Sequence, residues 1–188
     1  MIGFNLKKTF LITMIVALCL SALSGIIIFL TGEFGRTEGR ILLTTLSVAG
    51  YSLAGLACSA LYDKNRGVEA LAGMVTSIIG FLYSVGIIWE IINWSWDSSW
   101  KFLLTLIIFS VAFAHACLML LIESSHRVVQ IAVIGTLISI IALALLLMVL
   151  IWGENFNEFL IRLIGVVAIC DALGTICSPI LNKVYKSK

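Results

Sequence analysis

The sequence predicts an all-α fold, a polytopic membrane bundle of six transmembrane helices, and three observations lead there. Six apolar runs, each near the ~20 residues that a 30 Å hydrocarbon core requires, account for nearly all of the 188 residues. Hydrophobic residues make up 61% of the chain and charged ones 12%, where an ordinary globular domain carries about 25% charged residues. The runs are also continuous rather than alternating. In lipid every backbone N–H and C=O needs an internal partner, and a continuous apolar run finds it in a helix, not in a barrel strand.

The first run, 9–30, is longer than the 7–15 apolar residues of a signal peptide and has no convincing cleavage site, despite small residues between Ala17 and Ser24. It is predicted to be a retained helix. The second run, 41–62, follows Arg40 and carries a stripe of Ser47, Tyr51, Gly55 and Ser59. In the third, 70–92, Gly73, Ser77, Gly80 and Ser84 recur at spacings of four, three and four, which stacks them on one face. Lipid tails are as apolar as leucine, so membrane helices associate where small residues allow close approach, and this helix is predicted to be central. The fourth run, 102–122, contains His115, the one histidine within a span. The fifth, 129–152, becomes continuous Ile, Leu, Ala, Met and Val beyond Gly135 and Ser139, and so is expected to have the greater lipid exposure. The sixth, 160–181, holds Asp171, Gly174, Thr175 and Ser178, and then Pro179, where a kink or an early end is expected. The connections are too short for a soluble domain, and residues 1–188 are read as one membrane domain.

Orientation follows from the cationic residues, since short cytoplasmic loops carry the excess of Lys and Arg. With six spans, one side holds Lys7, Lys8, Lys64, Arg66, Arg127, Lys183, Lys186 and Lys188, and the other Arg36, Arg40, Lys101 and Arg162. Both termini are therefore expected in the cytoplasm, in a plasma membrane or a bacterial inner membrane. The tryptophans mark the opposite face. Trp89, Trp94, Trp96 and Trp100 crowd the third loop and Trp152 closes the fifth run, as indole anchors at the headgroup layer do. Glu90, Arg40 and Arg162 near that face have the charges for an external ion pair, although snorkelling accounts for each separately.

A net charge of +2 gives no footprint for nucleic acid, and the basic tail reads as an anchor beside anionic lipid. The expected partners are membrane lipids, with a second copy or another membrane protein as the protein partner. The cysteines Cys19, Cys58, Cys117, Cys170 and Cys177 all fall in predicted spans without a CxxC pair, and free, buried thiols are expected. Asn93-Trp94-Ser95 matches a glycosylation acceptor, but in a loop tight against the membrane.

A faint repeat suggests three tandem hairpins. Arg40, Lys101 and Arg162 open the even-numbered spans at intervals of 61; Cys58, Cys117 and Cys177 lie toward their inner ends at intervals of 59 and 60. Leu42-Leu43-Thr44 recurs as Leu103-Leu104-Thr105, and Gly55 and Gly174 each stand three residues before a Cys-Ser pair. Regular boundaries arise partly by default in short-looped membrane proteins, so the repeat argues for architecture and not for transport.

Asp171 is the first candidate for function, because a charged side chain near mid-span costs roughly 2.5–3.5 kcal/mol on insertion scales. Asp171, Thr175 and Ser178 form a polar line with Gly174 alongside, which turns the carboxyl toward the bundle interior. Counted from Lys101 and Arg162, His115 and Asp171 differ in depth by roughly 7–8 Å at 1.5 Å per residue, within side-chain reach or one water. Asp171, His115, Thr175 and Ser178 are thus candidates for a proton- or ion-binding site. A neutral acid and a neutral histidine, hydrogen-bonded only to fix helix register, are the alternative. A metal centre from His115, Cys117, Cys170 and Asp171 is disfavoured because adjacent and i,i+2 residues on a helix point in different directions. No metal or cofactor is expected, and no motif such as GxSxG or HExxH indicates an enzyme. Two function classes lead, a small transporter or channel subunit and a structural or regulatory subunit whose internal polar residues serve packing, with an intramembrane enzyme as a weaker third.

Overall fold

The computed structural model describes residues 35–62, 64, 67–91, 96–122, 124, 126–153 and 157–186, together with ten residues between positions 12 and 27. The latter are helical, and the rest of the first predicted span lies outside the described residues, as do Trp94, the side chain of Trp96 and the Asn93-Trp94-Ser95 motif. Five helices follow: α1 (Arg36–Tyr62), α2 (Gly67–Ile88), α3 (Trp96–Leu120), α4 (Arg127–Trp152) and α5 (Glu158–Lys186). All five are long and apolar enough to cross a membrane.

The helix ends follow local chemistry. Asn157 caps α5, its Oδ1 accepting the Phe159 N–H at 3.1 Å, and Glu158 in the first turn complements the helix dipole. Of the kink or early end expected at Pro179, the early end does not occur: α5 continues to Lys186. Proline removes a single N–H donor, whereas the residues beyond it keep their own bonds to the preceding turn by continuing the helix.

The end of α2 is less ordinary. Ile91 N–H donates to Gly86 O at 2.9 Å and Glu90 N–H to Ile87 O at 3.1 Å, the paired bonds of a Schellman cap. Glu90 takes the left-handed position of that cap, φ 56°, where glycine is usual. It is also an anion at the negative end of the helix dipole. What offsets both is α1: Arg40 Nη2 lies 2.8 Å from Glu90 Oε2, and Arg36 pairs with Oε1. Arg162 takes no part, pairing with Glu158 at 3.2 Å on its own helix. The bond from Arg40, with Arg36 nearby, holds the Glu90 carboxyl below the usual glutamate range. A lowered value means stabilisation present above the unfolded-state pKa and lost as pH falls through the folded one. Glu90→Gln removes the ion pairs and keeps the strained backbone, whereas Glu90→Gly relieves the backbone. Thermal unfolding in detergent is expected to rank Glu90→Gly above Glu90→Gln, with the deficit of Glu90→Gln relative to the parent vanishing at acid pH and in high salt.

Helices α1, α2 and α3 pack on one another, α4 packs on α3, and α5 packs on α4. The last helix is consequently the least buried of the five, rather than the fifth predicted span, which is α4. The stripe Gly73, Ser77, Gly80 and Ser84 is buried on α2 as predicted, and Gly55 is buried on α1. Gly73 meets Cys58 and Phe113, and Gly80 meets the Tyr51 ring. One apolar cluster joins Cys58, Leu61, Ala70, Met74 and Cys117. Cys19, Cys170 and Cys177 are exposed, which corrects the expectation of burial for all five thiols. Cys170 and Cys177 lie on α5, which packs on α4 and not in the three-helix contact.

Candidate functional site

Polar side chains inside helices of this hydrophobicity mostly satisfy themselves by bonding to the carbonyl one turn back. Thr44, Thr76, Ser77, Ser84, Thr136 and Ser178 all donate to the carbonyl four residues earlier. Two buried side-chain oxygens among the described residues have no hydrogen-bond partner: Ser110 Oγ and Asp171 Oδ1. An unmade bond at such a place costs about 1–3 kcal/mol, and more for a charged group, so each asks for an explanation.

Asp171 lies on α5 and is 8% exposed. It is carried there by a close approach of α5 to α4 at Gly174, where any β-carbon would overlap Thr136. One turn on, Ser178 is fully buried and bonds back to Gly174 O at 2.7 Å, so it fixes the contact and does not join the acid. On the other side stands His115 of α3. Its Nε2 is 2.9 Å from Thr175 Oγ1, and its Nδ1 is 3.6 Å from Asp171 Oδ2. Counted from Lys101 and Arg162, His115 and Thr175 stand at nearly the same depth, 14 and 13 residues in, and the imidazole bridges the remaining turn to Asp171.

Hydrogen accounting constrains the protons. Thr175 Oγ1 is 2.7 Å from Asp171 O, and its single proton goes either there or to His115 Nε2. If it goes to the carbonyl, Nε2 carries a hydrogen and donates to the threonine. Nδ1 then faces the carboxylate as a bare lone pair unless a proton lies between them. If the threonine donates to Nε2 instead, the neutral imidazole carries its hydrogen on Nδ1, again between the two groups. A proton between His115 and Asp171 is compatible with both arrangements. They differ by one proton in total, with a net charge of zero in the first and minus one in the second. At 3.6 Å the contact is longer than a hydrogen bond, leaving the pair slack and Oδ1 open.

The other predicted residues fall elsewhere. Cys117 lies with Cys58, and Cys170 is exposed, so neither joins His115; among the described residues no group of three His, Cys, Asp or Glu side chains is arranged to hold a metal. Trp89 and Trp152 do more than sit at helix ends. Trp89 Nε1 donates to Thr44 Oγ1 at 3.2 Å, and Trp152 Nε1 donates to Thr105 Oγ1 at 3.1 Å. Trp152 also packs edge-on against Phe102, centroids 5.4 Å apart, and Trp100 is exposed.

No family model, curated protein or solved structure matches this chain. The geometry of the site is therefore what carries a functional reading.

Sequence reasoning did not find Thr136 as the partner of Gly174, the Tyr51–Ser84 contact at 3.1 Å, or the Ser110 orphan. For Ser110 no sequence signal exists, since its type and spacing match serines that do bond back.

Proposed function

We propose that this is a multi-pass integral membrane protein of a plasma or bacterial inner membrane, acting as a small transporter or channel subunit with a proton-binding site at Asp171 and His115. The observation that carries the reading is the buried carboxyl with one oxygen facing an imidazole at 3.6 Å and the other bonded to nothing among the described residues. A neutral hydrogen bond contributes about 0.5–1.5 kcal/mol, less than the roughly 2.5–3.5 kcal/mol cost of a mid-span charge. Packing alone thus offers a carboxylate too little compensation, whereas sharing a proton with His115 removes the net charge. An acid retained only for helix register has both oxygens satisfied by its neighbours; this one holds an oxygen in reserve for a proton, an ion or water.

The eight-to-four division of Lys and Arg across the six predicted spans supports a cytoplasmic position for both termini. Three tandem hairpins are supported by a shared device. Thr44 and Thr105, 61 residues apart, each accept a bond from the tryptophan that ends the following helix.

The test is proton flux into sealed liposomes holding the purified protein and a trapped pH-sensitive dye, driven by a potassium diffusion potential. Flux that depends on the protein and disappears in Asp171→Asn, with folding intact, is the expected result. Equal behaviour of parent and variant, together with a stoichiometric membrane partner on purification, overturns the reading in favour of a structural or regulatory subunit.

A further inference from the structure

Thr175 has two polar partners, and the distances to them decide where its hydrogen lies. Its Oγ1 is 2.7 Å from Asp171 O and 2.9 Å from His115 Nε2. A carbonyl oxygen carries no hydrogen, so two oxygens held 2.7 Å apart need the hydroxyl proton between them. Thr44, Thr76, Ser77, Ser84, Thr136 and Ser178 make the same bond at 2.7–2.9 Å, which is the ordinary state of a hydroxyl in these helices. Thr175 then has only lone pairs left for His115, and Nε2 has to bring the hydrogen.

What Nε2 carries settles the character of Nδ1. A neutral imidazole has one N–H, so a hydrogen on Nε2 leaves Nδ1 as the basic atom of the ring. Nδ1 is the nitrogen that stands 3.6 Å from Asp171 Oδ2. The groove between α1 and α3 that His115 also lines is otherwise apolar, with Ala54, Ala57, Ala114 and Leu118 among its walls, so no side chain there offers Nε2 a second acceptor. Helix α4, which meets α5 at Gly174, has no ionisable residue between Val128 and Trp152 and brings no charge to compete for the ring.

We propose that Thr175 is a positioning residue: as a hydrogen-bond acceptor it fixes His115 as the Nε2–H tautomer and so turns the basic Nδ1 on Asp171. The part played by the pair in proton binding rests on the reading above, whereas the tautomer does not. Both bonds of the hydroxyl are made while the pair holds a proton between Nδ1 and the carboxyl. Loss of that proton leaves a carboxylate opposite a bare nitrogen, relieved by the other tautomer, in which the hydroxyl leaves Asp171 O to donate to Nε2. Thr175 thus favours the proton-loaded pair.

The chain has two histidines, so the full-length protein grown on nitrogen-15 histidine and placed in phosphatidylcholine nanodiscs gives few imidazole signals, and His126→Gln identifies those of His115. Solid-state spectra at neutral pH separate a hydrogen-bearing ring nitrogen from a bare one. Nε2 is expected to bear hydrogen in the parent and in Thr175→Ser, which keeps the hydroxyl. Thr175→Val keeps the shape and removes the acceptor. The Nε2–H then stands without a partner in apolar surroundings, and the population should move toward Nδ1–H by at least about fivefold, the factor for the lower end of that cost. A bare Nε2 in the parent overturns the proposal, and this spectrum decides alone should Thr175→Val fail to fold. A Thr175→Val spectrum unchanged from the parent also overturns it, as does a Thr175→Ser spectrum that matches Thr175→Val. Liposome flux is read separately: absent flux with the expected nitrogen pattern ends the proton-transport reading and leaves the role of Thr175 in place.

Discussion

Under the proposed proton site, Asp171→Asn is expected to yield a folded protein without proton flux, and the double variant His115→Leu/Asp171→Leu a protein at least as stable as the parent and equally without flux. The asparagine amide can donate to His115 Nδ1 in place of the proposed shared proton, so the imidazole keeps its bond to Thr175 and no labile proton lies between the helices. The double variant removes both polar groups together. Replacing a buried ionisable pair with apolar residues of similar volume is often neutral, or stabilising by about 1–4 kcal/mol, because desolvation is no longer required. His115→Leu alone is a different case. It leaves the Asp171 carboxyl with neither oxygen engaged and destabilises, by about 3–5 kcal/mol if the acid stays charged. The readouts are thermal unfolding in detergent for stability and the carboxylic C=O infrared band for proton occupancy. The parent should show a band that Asp171→Asn removes and His115→Leu strengthens, since without the imidazole the acid must hold its own proton. A parent band insensitive to both substitutions contradicts the shared-proton geometry.

The meeting of His115 with Asp171 was legible because depth in a span is a one-dimensional quantity. Counting residues from Lys101 and Arg162 set His115 and Asp171 roughly 7–8 Å apart in depth, within side-chain reach, and the helical line through Asp171, Thr175 and Ser178 suggested the face; that His115 would meet Thr175 was not read. Which helix would pack against that face was not legible. The contact is made possible by Gly174 against Thr136, and α4 gives no sign in its sequence that Thr136 is the residue a glycine will approach. The stripe on α2 was readable for the same reason as the polar line, since small residues at helical spacing define a face whatever packs on it. Exposure was misjudged for α4 and α5 because hydrophobicity cannot order helices by position. α4 is the more uniformly apolar of the two, yet it lies between α3 and α5 and buries more. Glu90 was seen as a charge near a helix end, but its left-handed cap and the second arginine, Arg36, arise from how α1 and α2 meet. Local propensity argues against an anion in that position, so only the tertiary contact explains it.

The three-helix contact at Gly73 should be the most sensitive packing point among the described residues. In a helix interior, exchanging glycine for alanine gains about 0.5–1 kcal/mol through backbone entropy, and at Gly50 or Gly135, where a β-carbon meets nothing within 4 Å, that gain is the expected outcome. At Gly73 the same β-carbon overlaps the Cys58 sulfur, lies 3.2 Å from Cys58 Cβ, and reaches within 3.3 Å of Phe113 Cβ. Three helices converge there, since Cys58 belongs to α1 and Phe113 to α3, so no single side chain can yield without moving another helix. Overpacking of this kind costs typically about 1–3 kcal/mol, more than alanine returns, and Gly73→Ala should lower stability while Gly135→Ala raises it. Gly73→Leu should separate α2 from α1 and prevent accumulation of folded protein. The decisive comparison is a double-mutant cycle. Cys58→Ala removes the overlapping sulfur, so Gly73→Ala/Cys58→Ala should recover part of the loss, with an interaction energy of about 0.5–3 kcal/mol between the two sites. Strict additivity would mean that Gly73 is held by backbone conformation and not by the sulfur against it. The α1–α2 contact would then owe its closeness to some feature other than the missing side chain.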